Sequence, residues 1–431
     1  MIDRFDEYQQ DRKTFWQKML VPLAFVCLAA IPIMYYGTNS ELAKWKAAQA
    51  QLLYDAGETE RGIEMMELAL DQSPRDQNLK LDLASQLMPA GRAEEALELI
   101  QEVLDQSSNP RMALYAKSEC LQHLKRPQEA LAALKEIPEY AVPGAIKDFT
   151  RLNNLAYNRA LAGLELDEAE QNIDDAVELY LSGVWWLDKI PMTLEDQTLV
   201  VTAMIANRID RTDLVLNELT KRIVRVEELQ RSIQQDVSEE IYRNMQDSLP
   251  VDKDVEKEYQ KHQMILHSQK QYLAVMYTVR ALIYQRTGDL ESCDRDRLSA
   301  ASWDHSPDEL LRYFPSDWDL LTLAHSGSLY LDTRAMVTWA KSKDFEDAIG
   351  DLNRSILALE ILDLTRDTDM QNSLHHEEYG RNFEASVLKR NEATIRKHRA
   401  DILIEHGLVE KAEADLERIR ELGFDDNDEL F

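Results

Sequence analysis

Apolar residues in the segment 41–140 recur at intervals of three and four, in blocks that short polar turns separate. This spacing gathers them on one face of an α-helix, so each block predicts an amphipathic helix. The blocks come in pairs, and the pairs repeat every 34 residues. We therefore predict three stacked helix–turn–helix units, with matching positions at Ala50, Ala84 and Ser118; Leu53, Leu87 and Leu121; Gly62, Ala96 and Ala130; Met66, Ile100 and Leu134; and Ala69, Val103 and Ile137.

The turns inside these units add a second pattern. Gly57 and Gly91 occupy the turn in the first two copies, Lys125 replaces them in the third, and Pro74 closes the first copy. The segments AGETERGIEMMELALDQSP and AGRAEEALELIQEVLDQS both carry the turn glycine, a small residue near the start of the second helix and a small or aliphatic residue near its end. Only the first of them ends in a proline. In them the chain resembles the tetratricopeptide repeat family, which implies a solenoid of helical hairpins that binds proteins or peptides. Looser copies, which bring the resemblance to about half of the chain, are LAYNRALAGLELDEAEQNIDDAVEL, ALIYQRTGDLESCDRDRLSAAS, AMVTWAKSKDFEDAIGDLNRSI and RADILIEHGLVEKAEADLERI.

A run without charged residues extends from Met19 to Ser40. It is long enough to cross the hydrocarbon layer of a membrane as a helix. Trp16 stands at one end and Tyr35 and Tyr36 at the other, where aromatic rings favour the headgroup level. We predict a transmembrane helix at 19–40 with these three residues at the membrane interfaces. A cleaved signal peptide is the alternative, but the run is long and no small-x-small cleavage pattern follows it.

Basic residues on the two sides of this run predict its orientation. Arg12, Lys13 and Lys18 precede it, whereas Lys44 and Lys46 follow it. The small excess before the run predicts that segment 1–18 is cytoplasmic and that the large domain lies on the opposite side of the membrane.

The remaining chain predicts an interrupted solenoid. After the repeats of 41–177 comes a helical region, 178–286, in which residues 212–286 predict two long helices turned near Pro250. Apolar positions on the first long helix form a coiled-coil-like seam that Gln230 interrupts, which favours a hairpin within the chain. Residues 287–431 predict further repeats, with a polar loop at 365–385. The predicted fold class is all-α: a repeat solenoid with an inserted long helical hairpin and one N-terminal transmembrane helix.

Composition and charge limit the classes of fold and partner that the chain can have. Only 13 Gly and 12 Pro occur, which is typical of helices joined by short connections. The net charge of −30 lies on residues 41–431 and repels nucleic acid. An acidic surface of this kind serves solubility, or it serves a preference for basic partners. The cysteines Cys27, Cys120 and Cys293 show neither zinc-ligand nor disulfide spacing.

No catalytic or cofactor signature stands out in the sequence. A glycine-rich phosphate loop and a nucleophile elbow are both missing, so we predict no enzyme activity, no cofactor and no metal site. One polar group lies at helical spacing on the first helix of the fourth repeat: Arg151, Asn154 and Asn158. Asparagine amides can hydrogen-bond the backbone of an extended ligand, which makes this group the predicted partner-binding site. A hydrated helix face and a contact between repeats are the other interpretations.

The predicted function is a membrane-anchored scaffold that binds a protein or peptide, basic or amphipathic, along the first helices of its repeats. Two alternatives remain open. One is an accessory subunit of an envelope enzyme or transport complex, and the other is an enzyme with an unrecognised site in 178–290. The sequence predicts no oligomeric state.

Overall fold

The computed structural model describes residues 40–54, 58–137, 149–183, 193–246, 253–301, 317–365 and 385–424. Regular secondary structure in these residues is helical throughout, in agreement with the predicted all-α class. The predicted transmembrane helix and polar loop lie almost entirely outside these ranges, as do Trp16, Tyr35 and Tyr36. Among the described helices, none is both long enough and apolar enough to span a bilayer.

The described helices are numbered in chain order. A short 3₁₀ turn, Thr212–Leu214, precedes α10. The helices are α1 (40–54), α2 (Thr59–Gln72), α3 (Gln77–Leu87), α4 (Ala93–Gln106), α5 (Arg111–His123), α6 (Pro127–Lys135), α7 (Phe149–Ala162), α8 (Leu166–Gly183), α9 (Leu194–Arg208), α10 (Leu216–Gln246), α11 (Lys253–Thr287), α12 (Leu290–Ala301), α13 (Asp317–Ser342), α14 (Phe345–Leu364), α15 (Ala385–Glu405) and α16 (Val409–Glu421).

The chain forms two compact units that divide between Cys120 and Leu121, inside the predicted repeat block 41–177. In the first unit, α2 packs against α3, and α3 packs against α4. The ammonium group of Lys46 on α1 donates to the carbonyl oxygen of Leu68 on α2 at 3.2 Å. Helices that follow one another in sequence therefore pack on one another, as stacked hairpins require.

The positions that repeat every 34 residues are the buried positions of their helices. All of them are buried in every copy except Leu53, which is partly exposed. Ala96 and Ile100, for example, have no exposed surface. The predicted register of the three copies is therefore confirmed over the described residues.

Two glycines show why small residues are needed in these hairpins. A Cβ atom on Gly62 would lie 2.4 Å from Cε1 of Tyr54, so the aromatic ring on α1 requires a glycine on α2. Gly91, between α3 and α4, has a φ of +73°, in the left-handed region that favours glycine. The first glycine permits close packing, and the second permits the tight turn.

The second unit is organised around α9 and α13. α9 packs against α10, α11, α13 and α14, and α13 also contacts α7 and α8. Almost every residue from Leu194 to Ala206 is buried, so α9 has protein on all sides. Gly327 on α13 makes the closest approach, because a Cβ atom there would lie 2.4 Å from Oγ1 of Thr198 on α9.

Buried ion pairs attach α9 to its neighbours. The guanidinium of Arg222 on α10 donates to Asp196 at 2.9 Å. Arg334 on α13 lies 2.8 Å from both Glu195 on α9 and Asp351 on α14. Burial alone would raise the pKa of Glu195, but the charge of Arg334 and hydrogen bonds outweigh it and lower the pKa to about 2. Removing one partner of such a buried pair is strongly destabilising.

The long hairpin predicted at 212–286 is present as α10 and α11, of 31 and 35 residues. Leu219, Ile223 and Val226 of the predicted seam are buried, and Tyr277 on α11 donates to the Glu227 carboxylate on α10. Gln230 is also buried, at the point where its polar side chain interrupts the apolar seam. The two helices therefore pair with each other within one chain.

Candidate functional site

The first helices of the three hairpins present a set of accessible side chains that share the 34-residue period. α1, α3 and α5 each contribute two positions that are one helical turn apart. None of the six is buried, and Glu119 is exposed. We call this set the first-helix face; its residues are Ala47 and Gln51, Leu81 and Ser85, and Tyr115 and Glu119.

Two contacts orient the α5 part of the first-helix face. The thiol of Cys120 donates to the carbonyl oxygen of Ala93 on α4 at 3.0 Å, on the side of α5 turned away from the face. The guanidinium of Arg111 lies 5.7 Å from the centre of the Tyr115 ring, within range of a cation–π contact. An aromatic ring and a carboxylate one turn apart can bind an apolar group and a cation of the same ligand.

The predicted binding residues on α7 divide into two groups. Arg151 and Asn154 are partly exposed, whereas Asn158 is fully buried. The amide nitrogen of Asn158 donates to the Asn154 carbonyl oxygen at 2.8 Å, and its amide oxygen accepts from Gln122 at 3.0 Å. The chain itself thus engages both polar atoms of the Asn158 amide. Of the predicted group, Arg151 and Asn154 are accessible to a partner, and their role in binding stays a prediction.

The side of α7 next to Asn158 is covered by the chain's own helices. The hydroxyl of Tyr157 lies 3.0 Å from Nε2 of His398 on α15, and Nδ1 of His398 lies 2.8 Å from Asp332 on α13. His398 and Asp332 are both buried. Burial, and the nearby carboxylate of Asp332, hold the pKa of Tyr157 well above its usual value. The hydroxyl therefore keeps its proton, and Tyr157, His398 and Asp332 form one continuous chain of hydrogen bonds.

We call the contacts of Tyr157, His398 and Asp332 the seam. Two further contacts extend it. Arg390 on α15 hydrogen-bonds the buried His123 at the end of α5, and Asn391 lies 3.1 Å from Nε2 of His325 on α13. Burial lowers the pKa of His325 to about 4. The seam joins α5, α7, α13 and α15 by hydrogen bonds between side chains that are far apart in sequence.

The seam forms a junction between helices. Tyr157, His398 and Asp332 form a chain that resembles a proton relay, and its central residue, His398, is buried at 2% exposure. Among the described residues, no group of three or more His, Cys, Asp and Glu side chains is placed to hold a metal ion. The sequence does not predict the seam, because the residues that pair in it lie far apart and share no spacing pattern.

Comparison with known proteins supports the repeats and adds little beyond them. Residues 53–117 match the model of a family described as tetratricopeptide repeat. The sequence matches none of the curated proteins. The crystal structure of the APC/C hetero-tetramer Cut9–Hcn1 is similar at 14% identity and a TM-score of 0.29, over 92% of this chain and 96% of that one. The crystal structure of yeast Tom70 is similar at 11% identity and a TM-score of 0.22, over 89% and 92%. Likenesses this weak identify neither a function nor a partner.

Proposed function

We propose that this protein is a membrane-anchored scaffold that binds a protein or peptide on the first-helix face. One observation carries the proposal: six matching positions on α1, α3 and α5 stay accessible, in and next to the segment that matches the tetratricopeptide repeat model. The corresponding surface of α7 is instead partly used by the chain itself. Stacked hairpins repeat the same positions along one surface, which suits an extended ligand.

The ligand proposed for this face is a basic or amphipathic segment. Glu119 is exposed, Tyr115 offers a partly exposed ring, and the whole chain has a net charge of −30. Such a field attracts cations and speeds their association, and salt screens it. On α7, Arg151 and Asn154 are proposed as an additional contact. Asn158 is left out of this contact because it is buried.

The anchor of the proposed scaffold is the charge-free run 19–40, with the N-terminus in the cytoplasm and the large domain on the opposite side. Full-length protein should stay in membranes after high-salt and alkaline washing. A reporter that works only in the cytoplasm, fused after Phe431, should remain silent. Alkaline release of uncleaved protein would contradict the anchor, and an active reporter would contradict the orientation.

Site-specific photo-crosslinking in the native membrane tests the binding face. A photoreactive amino acid at Tyr115 should capture a discrete partner. The same group at Glu98, exposed on the second helix α4, should not capture that partner. Glu119→Lys should weaken the capture at Tyr115, because it reverses the charge beside the ring. Equal capture at both positions, or capture that Glu119→Lys leaves unchanged, would show that the partner binds elsewhere.

A further inference from the structure

α1 exposes a row of large apolar side chains on the face opposite its packed side. Leu42, Trp45 and Leu52 are 42%, 58% and 61% exposed. Ala43 and Ala50, on the opposite side of the helix, are buried at 1% and 0%. At 100° per residue the three large side chains fall within about 80° of one another, so they form one stripe. We call these three residues the α1 stripe.

α1 does not share the acidic character of the chain as a whole. Its only charged residues are Glu41, Lys44 and Lys46, which gives it a small excess of base in a chain of net charge −30. Lys44 pairs with Glu41 at 2.9 Å, at the end of the helix where the stripe begins. The net charge of the protein repels an anionic surface, and the charges of α1 itself do not add to that repulsion.

The position of α1 in the chain indicates what covers the stripe. The first described residue of α1 is residue 40, where the charge-free run from Met19 ends. In the sequence, Gly37 and Asn39 at the end of that run are residue types that favour a helix boundary. At about 1.5 Å per residue, Trp45 follows the end of the run by at most roughly 8 Å, so the proposed anchor brings Trp45 to the headgroup layer or its outer edge.

We propose that α1 lies along the membrane surface with the α1 stripe in the lipid headgroup layer. Tryptophan and leucine on one face of a short helix are the chemistry that this layer accepts, typically to a depth of about 5–10 Å. The inference rests on the proposed anchor, which brings α1 to the surface, and it adds a second contact that fixes the repeats relative to the bilayer.

Depth-dependent fluorescence quenching tests the inference on the full chain. The protein is reconstituted into phosphatidylcholine vesicles whose acyl chains carry bromine close to the headgroups. Because the chain has 7 Trp, the signal of Trp45 is the difference between wild type and Trp45→Phe. Shallow bromine should remove most of the Trp45 emission, and bromine near the bilayer centre should remove much less. Iodide in the water should quench Trp45 weakly.

Paired substitutions and flotation separate the outcomes. Leu52→Glu should raise the access of iodide to Trp45, whereas Leu298→Glu, at a 73% exposed position on α12, should not. Vesicles that float with protein but leave Trp45 unquenched by bromine would overturn the stripe and leave the anchor intact. Protection from iodide without bromine quenching would mean that protein, a second copy or a partner, covers the stripe, and would also overturn the proposal. Protein that fails to float would overturn the anchor and the stripe together.

Discussion

Replacing Gly327 by alanine should destabilise the second unit at the crossing of α9 and α13. The added Cβ atom would lie 2.4 Å from Oγ1 of Thr198 and 3.2 Å from its Cγ2. Thr198 is only 1% exposed and lies on a helix buried on all sides, so it has little room to move. Either the two helices separate or Thr198 takes a strained rotamer.

The size of the effect is a balance of two terms. Overpacking of this kind typically costs about 1–3 kcal/mol. Alanine is preferred to glycine inside a helix by about 1 kcal/mol, which offsets part of the cost. Gly350 on α14 is the matched control, because a Cβ atom there would meet only the flexible guanidinium of Arg354, at 3.4 Å. Gly350→Ala should therefore be neutral or stabilising, and the two variants should differ by about 1–3 kcal/mol.

Urea unfolding followed by circular dichroism at 222 nm measures this difference. A double-mutant cycle locates it: Thr198→Ala removes Oγ1 and Cγ2 and leaves only Cβ, at 3.3 Å, so Gly327→Ala should cost much less in that background. Thr198→Ala alone should cost little for its hydroxyl, because Oγ1 has no hydrogen-bond partner among the described residues. If Gly327→Ala is as harmless as Gly350→Ala, or if the two changes at the crossing simply add, the packing of α9 on α13 is not as described.

Two further predictions address the first unit and the seam. Ala96 has no exposed surface, so Ala96→Leu should lower the free energy of unfolding by about 1–3 kcal/mol and lower the melting temperature. Ala132→Leu, at an exposed position, should leave the melting temperature unchanged. An unchanged melting curve for Ala96→Leu would contradict the register. The pKa of His325 is about 4 in the folded chain against a usual value near 6.5, so the unfolded chain binds more protons between these values and stability should fall as the pH drops from about 6.5 to 4. The lowered pKa of His325 should reduce the free energy of unfolding at pH 4 and below by on the order of 3 kcal/mol relative to neutral pH. Chemical unfolding at several pH values should show a shallower fall for His325→Gln, and the same slope as wild type would contradict the assignment.

The repeats were predictable from sequence because their signal is local. Ala96 and Ile100 are buried for the reason that their spacing predicts: one face of each helix packs on the next. The α10–α11 hairpin was predictable for the same reason, since an apolar seam on the first long helix, interrupted at Gln230, favours pairing with the second long helix of the same chain. Apolar residues at intervals of three and four predict which face of a helix is buried, and a short turn predicts which helix packs beside it.

Contacts between distant segments could not be predicted in this way. Tyr157 and His398 are 241 residues apart, and no spacing rule links them. For that reason Asn158, a polar residue on a first helix, was expected to face a ligand, although it is buried and bonded to Gln122. α9 posed a related difficulty, because Asp196 and Thr198 are buried in a helix without a polar face. Burial on all sides removes the periodicity from which a helix face is predicted.

Binding of a partner on the first-helix face should depend on the side chains of that face, and the affinity of the crosslinked partner for defined variants measures this dependence. Tyr115→Ala should weaken binding by about tenfold or more, since aromatic anchors dominate interface energies. Glu98→Ala on the second helix α4 should leave the affinity unchanged, and both variants should keep the helical circular dichroism of the wild type. The account predicts this contrast between the two faces. Wild-type affinity for Tyr115→Ala, or an equal loss for Glu98→Ala, would contradict it.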